Sequence, residues 1–292
     1  MKQKSLYKKV ALFLGSILIA LLIVEVLLRT INYYPIYLDI DLFVHNNNEL
    51  LPYKLKPNYD GYYLGKKVLI DHDGYRVVSP KIVNSNSIQD SELRKTILIL
   101  GDSLVFGHGL DNDETVASQL QSLINEKGLD YKLLNIGVPG YMTWNEYEAF
   151  KEYLEYSSEK IDLVILVYVF NDITEDNNQL NLMKTDQKRK FGPVGRFLHS
   201  NIYSLSLLKH LYIAILYKRK SNLNKTQYER KVSELKAEYM DERSLKYSMQ
   251  AISELKKLCD QYLIDLVVVL PRYHQWDHKY PEFSREFEAL VM

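Results

Sequence analysis

The chain has 292 residues, 47% hydrophobic and 25% charged, which is ample for a sizeable core and unlike a disordered tail. Its 37 basic and 37 acidic residues cancel, so no global field points to nucleic acid and no such partner is expected. One cysteine, Cys259, excludes an internal disulfide and a cysteine-rich metal site, and it reads as a core residue.

The first element is an apolar run from Val10 to Leu28, 19 residues that as a helix approach the roughly 30 Å hydrocarbon core of a bilayer. Lys2, Lys4, Lys8 and Lys9 precede it and only Arg29 follows closely, so residues 1–9 are expected in the cytoplasm and the rest outside. No small-x-small site closes the run, which favours an uncleaved signal anchor over a cleaved signal peptide. Glu25 sits near the outer end, where a side chain reaches the headgroup layer.

Residues 31–93 read as an extracytoplasmic connecting region. Pro35, Pro52, Pro57, Gly61 and Gly65 punctuate it, Lys67 to Ile70 followed by Asp73-Gly74 suggests a hairpin turn, and residues 84–92 are a polar linker. From about Arg94 the pattern alternates. Strands are predicted at 95–100, 131–136, 161–169 and 264–270, and helices at 113–127, 143–157 and 244–262. Val116, Leu120, Leu123 and Ile124 mark the apolar face of the first helix, and Thr143 to Glu146 has capping-box spacing at the start of the second. Alternation of this kind implies right-handed βαβ units and a parallel sheet.

Chemistry is expected where those strands end. The β-branched and leucine-rich run Lys95 to Leu100 leads into Gly101-Asp102-Ser103-Leu104. Gly101 allows a sharp change of direction, and Gly107 and Gly109 admit unusual backbone angles in the loop that follows. Ser103 projects from this turn with its own N–H free to face a substrate oxygen. An ordinary turn or helix cap suits Gly-Asp-Ser as well. The second strand ends in Asn135 to Tyr141 and the third in Phe170-Asn171-Asp172. A glycine N–H at Gly140 and an amide at Asn171 are the donors that an oxyanion hole needs beside a serine nucleophile. Taken singly, Gly140 also fits a turn and Asn171 a cap.

Together these three blocks resemble the SGNH, or GDSL, hydrolase family over roughly residues 94–175. The resemblance implies a flavodoxin-like three-layer α/β sandwich on a parallel sheet, preceded here by one transmembrane helix. It implies Ser103 as nucleophile and backbone oxyanion donor, Gly140 as second donor and the Asn171 side chain as third. Val169 stands where the family usually has glycine. The family takes its base and orienting carboxylate from an Asp-x-x-His block in a last loop, which does not occur after residue 172. That pair is therefore expected beyond Met292, with His274 or His278 and Asp277 as the alternative.

Residues 176–243 form an insertion, and from Lys184 to Lys231 it holds twelve Lys or Arg against two acidic residues. It reads as a solvated helical face, as a surface lying on anionic headgroups, or as one that recruits an acidic polysaccharide. Within it, Ile202 to Tyr217 is too short for a ready second span and reads as an amphipathic lid. No His-Glu-x-x-His or paired carboxylate cluster appears, so a cofactor-free mechanism is expected.

The function implied is a serine esterase or acyl hydrolase acting on O-acyl esters of cell-envelope glycans or lipids. The alternatives are an O-acyltransferase that modifies surface polysaccharide and a non-catalytic binding module on the same fold.

Overall fold

The computed structural model describes residues 2–31, 33, 40–79, 95–169, 172 and 242–271, with short helical stretches between 202 and 237. It divides into two units. One holds residues 1–39, 62–66 and 186–222; the other holds 40–61, 67–185 and 223–292.

In the first unit α1 (Lys2–Thr30) is one unbroken helix. Within its segment Tyr7–Thr30 an 18-residue stretch reaches a mean hydropathy of 2.8 with none of it buried, while Leu28 near the end is buried. At 1.5 Å per residue those 24 residues run about 36 Å, long and apolar enough to cross a membrane.

In the second unit, four parallel strands follow the order β6-β5-β7-β8. These are β5 (Lys95–Leu100), β6 (Tyr131–Asn135), β7 (Leu163–Val167) and β8 (Asp265–Val269). Sequence order 2-1-3-4 is that of a flavodoxin-like doubly wound sheet, with β5 at the point where the winding reverses. The alternation of β5 explains the layers. Leu98 and Leu100 point to one face with Phe150 of α4 (Thr143–Tyr156) and with Leu255 and Cys259 of α5 (Glu242–Gln261). Ile97 and Ile99 point to the other, with Val105 of α2 (Ser103–Phe106) and Ala117 and Ile124 of α3 (Val116–Glu126). Helices therefore cover both faces, and the α/β sandwich on a parallel sheet is realised.

Several local expectations shift. The first long helix begins at Val116, because Asp111 and Glu114 close a separate 3-10 turn: the Asp111 N–H donates to Glu114 Oε2 at 2.9 Å. Thr115 then caps α3. Val116 and Leu123, taken as core, are 47% and 51% exposed. Gln121 turns inward instead, donating to the Tyr131 carbonyl and accepting from the Leu133 N–H, so it pairs with the free edge of β6. The α4 cap lies one residue early. The Met142 N–H donates to Asn145 Oδ1 at 2.9 Å, while the Thr143 hydroxyl is engaged with Ser248.

Ahead of the sheet lie two small hairpins, β1 (Phe43–Asn48) with β2 (Leu51–Leu55) and β3 (Asp60–Tyr63) with β4 (Lys66–Leu69). The second turns at Leu64-Gly65, both at positive φ. The expected reversal at Asp73-Gly74 follows β4: the Val77 N–H donates to the Leu69 carbonyl at 3.0 Å, and Arg76 comes back to bridge Ile70 and Asn135.

Candidate active site

Register places three strand ends on one edge. Ile99 pairs with Asn135 and Leu100 with Leu166, so the segments after β5, β6 and β7 emerge side by side.

After β5, Asp102 caps α2: its Oδ1 accepts from the Leu104 N–H at 2.8 Å. Ser103 is the first helical residue, is half-buried, and its hydroxyl donates to Asp102 Oδ2 at 3.3 Å. First-turn N–H groups have no intrahelical acceptor. Gly101 serves by its size rather than by an unusual angle. An added Cβ would lie 2.3 Å from Val105 Cγ2 and 3.4 Å from the Val167 carbonyl oxygen. Gly107 (φ 83°) does need the left-handed region to end α2.

The loop that follows is gathered by one buried guanidinium. Arg76, 1% exposed, donates from Nη1 to the carbonyls of Phe106 (2.5 Å) and Gly107 (2.7 Å), and from Nη2 to that of Leu110 (2.6 Å). Its Nε and Nη2 both donate to Asn112 Oδ1 at 3.2 Å, and its plane stacks 4.6 Å from the Phe106 ring centroid. Burial pulls Arg76 down to about 10 against the field of Asp111, leaving it charged at neutral pH.

The loop after β6 packs onto α2. The Val138 N–H donates to the Gly101 carbonyl, and Asn135 Nδ2 donates to the Val105 carbonyl at 2.9 Å. A Cβ on Gly137 would fall 2.4 Å from the Phe106 backbone nitrogen, so only glycine allows this approach. Val138 to Tyr141 then form a tight turn: the Tyr141 N–H donates to the Val138 carbonyl at 3.1 Å, and Gly140 follows Pro139 with φ 82°. That is the pattern of a type II turn, which requires glycine at its third position. Among the described residues the Gly140 N–H has no acceptor within the chain. Two tyrosine hydroxyls tie the turn to β2. Tyr53 Oη donates to the Pro139 carbonyl at 2.9 Å, and Tyr141 Oη donates to the Tyr53 carbonyl at 2.6 Å.

After β7, Asp172 closes a turn in two ways: its N–H donates to the Val169 carbonyl, and its Oδ2 accepts from the Val169 N–H at 2.7 Å. Asn171 itself lies outside the described residues, as do His274, Asp277 and His278. Asp172, Glu146 and Asp102 are all buried, and Glu146 and Asp172 each lie in the field of neighbouring carboxylates. Among the described residues, both Glu146 carboxyl oxygens and Asp172 Oδ1 lack a hydrogen-bond partner. Burial, reinforced by like charge, pushes Glu146 and Asp172 well above the ordinary carboxylate range. Among the described residues no group of three His, Cys, Asp or Glu side chains is arranged to hold a metal.

Arg76 and Glu146 were not anticipated as site-forming. A lone Arg two residues past a Gly turn carries no local pattern, and Glu146 reads as half of a capping box.

These elements define an α/β protein of flavodoxin-like strand order with a serine at the tip of its first central strand and an open glycine N–H on the neighbouring loop. No family model matches the chain, nor does any curated protein. Among solved structures it is similar to TesA, at 14% identity and a TM-score of 0.35 over 67% of this chain and 70% of that one. It is likewise similar to AlinE4, described as an SGNH-hydrolase family esterase, at 20% identity and a TM-score of 0.30 over 69% of this chain and 93% of that one.

Two consequences are measurable. Arg76→Met removes a buried guanidinium that donates to three loop carbonyls and should cost about 3–5 kcal/mol, lowering the Tm by roughly 6–20 °C in thermal unfolding. An unchanged Tm would contradict the role of the guanidinium. For Glu146, the folded state holds a proton at pH values where the unfolded chain has released it. Stability therefore falls as pH rises from the ordinary carboxylate range toward the raised folded value. Glu146→Gln should flatten this slope and be more stable than the parent at pH 7–8 in urea unfolding, whereas parallel pH profiles would contradict a buried, protonated Glu146.

Proposed function

We propose that this chain is a membrane-anchored serine esterase of SGNH type, acting on O-acyl esters of envelope glycans or lipids. The observation that carries the reading is the pairing on one sheet edge of a half-buried serine hydroxyl with the open Gly140 N–H. In this reading Ser103 Oγ attacks the acyl carbonyl carbon, and the developing oxyanion accepts hydrogen bonds from the N–H groups of Ser103 and Gly140 and from the Asn171 amide. Collapse breaks the ester C–O bond, the alcohol leaves with a proton, and the acyl group stays on Ser103. Water then attacks the acyl-serine and releases the acid. Such a fixed pair of backbone donors stabilises charge that exists only in the transition state.

The Lys2, Lys4, Lys8 and Lys9 cluster before the span favours a cytoplasmic N-terminus, with the catalytic unit outside. Residues 94–292 form the hydrolase-like domain in this reading, with the basic insertion at 176–243 as an appendage that faces the envelope. Its substrate partner is an acylated glycan or lipid, and the chemistry needs no cofactor.

The test is labelling of the full chain in detergent with a fluorophosphonate probe. A single adduct on the peptide bearing Ser103 is expected. Ser103→Ala should abolish it and slow hydrolysis of a chromogenic acetyl ester by about 10³-fold or more. Equal labelling of the Ser103→Ala chain, or none of the parent, would overturn the enzyme reading.

A further inference from the structure

Outside the site, one carboxylate in an unusual setting remains. Glu25 lies in the last turns of α1, an otherwise apolar helix of span length. Its Oε1 accepts from the Tyr203 N–H at 3.2 Å and its Oε2 from the Ser204 N–H at 2.9 Å. Tyr203 and Ser204 open a helical stretch of the basic insertion, in which residues 203–205, 207, 208, 211, 212 and 215 are helical. Glu25 thus does for this second helix what a capping side chain does for its own, accepting from two first-turn amides. Arg29 completes the clasp. Its Nη2 donates to Glu25 Oε1 at 2.9 Å, and its guanidinium carbon sits 4.5 Å from the Tyr203 ring centroid.

The docked segment is not polar outward. Leu205, Leu208, Leu211, Tyr212 and Ile215 are all exposed and recur at helical spacing, forming one apolar stripe. That stripe begins beside a helix whose own Leu18, Leu22 and Val26 are exposed apolar residues. Charged groups flank it in sequence, Lys188-Arg189-Lys190 before and Lys218-Arg219-Lys220 after. An apolar stripe between cationic clusters suits an anionic lipid surface. Exposed apolar area of this extent is not left to water without a partner.

We propose that the 202–215 segment is a membrane-seated helix docked on the anchor through Glu25, with the acyl and headgroup layer of an anionic bilayer as its occupant. It therefore serves as a second membrane contact rather than as a lid. The inference rests on α1 lying in the bilayer and is independent of Ser103 chemistry.

The experiment uses the full chain in a Cys259→Ala background, reconstituted in phosphatidylcholine and phosphatidylglycerol vesicles with brominated acyl chains. A bimane fluorophore is placed in turn at Leu18→Cys, Leu208→Cys and Leu211→Cys. Quenching at 208 and 211 within about twofold of that at 18 is expected. In Glu25→Ala the quenching at 208 and 211 should fall severalfold while that at 18 holds. Quenching at 18 alone would overturn the proposal and leave the anchor standing, including the case in which 208 is shielded from a water-soluble thiol reagent by a protein partner. Quenching at 208 that survives Glu25→Ala would overturn the docking role of Glu25. No quenching at any position would overturn the anchor and this inference together.

Discussion

Everything at the sheet edge depends on a buried positive charge. The loop from Phe106 to Asn112 turns sharply after a four-residue helix, so its carbonyls cannot be satisfied by helix or sheet partners. Arg76 answers three of them from one planar fork, which an ammonium group could not do from a single point. With that loop fixed, α2 has a defined end, and Ser103 at its start has a defined position.

A second constraint is steric. Gly101 and Gly137 let α2 approach the ends of β5 and β6 at distances that no larger residue permits, and the Val138-to-Gly101 bond then sets the height of the Gly140 turn. Tyr53 of the β1–β2 hairpin braces that turn, and Tyr141 within the turn donates back to the Tyr53 carbonyl, so residues far before the first central strand shape the same region. Electrostatics works against this order. Glu146 and Asp172 are buried beside Asp102, and burial with like charge pushes both above the ordinary carboxylate range. Unfavourable carboxyl burial of this kind is a feature that functional sites often share, stability being given up for local chemistry.

The sheet was legible because buried parallel strands are short apolar runs: Ile97 to Leu100 and Val164 to Val167 need no partner to be recognised. The serine and the Gly140 turn were legible as well, since Pro-Gly at a strand end has one common backbone solution. What escaped was long-range. Arg76 acts on carbonyls 30 to 34 residues away, and no periodicity encodes such a contact. Val116 and Leu123 misled because helical spacing fixes a face but not which of two faces the sheet receives, and Gln121 was needed to satisfy the edge of β6. Thr143 misled for a similar reason, its hydroxyl being drawn to Ser248 across the α4–α5 interface.

In the proposed esterase reading, covalent chemistry falls on a single oxygen, Ser103 Oγ. Rapid quenching of the full chain with p-nitrophenyl acetate, followed by peptide mass spectrometry, measures that directly. Acetyl accumulating on the peptide that carries Ser103, in step with a burst of nitrophenol, is the expected result. Steady ester hydrolysis with no acetyl on Ser103, or with acetyl on another residue, would contradict the proposed serine nucleophile.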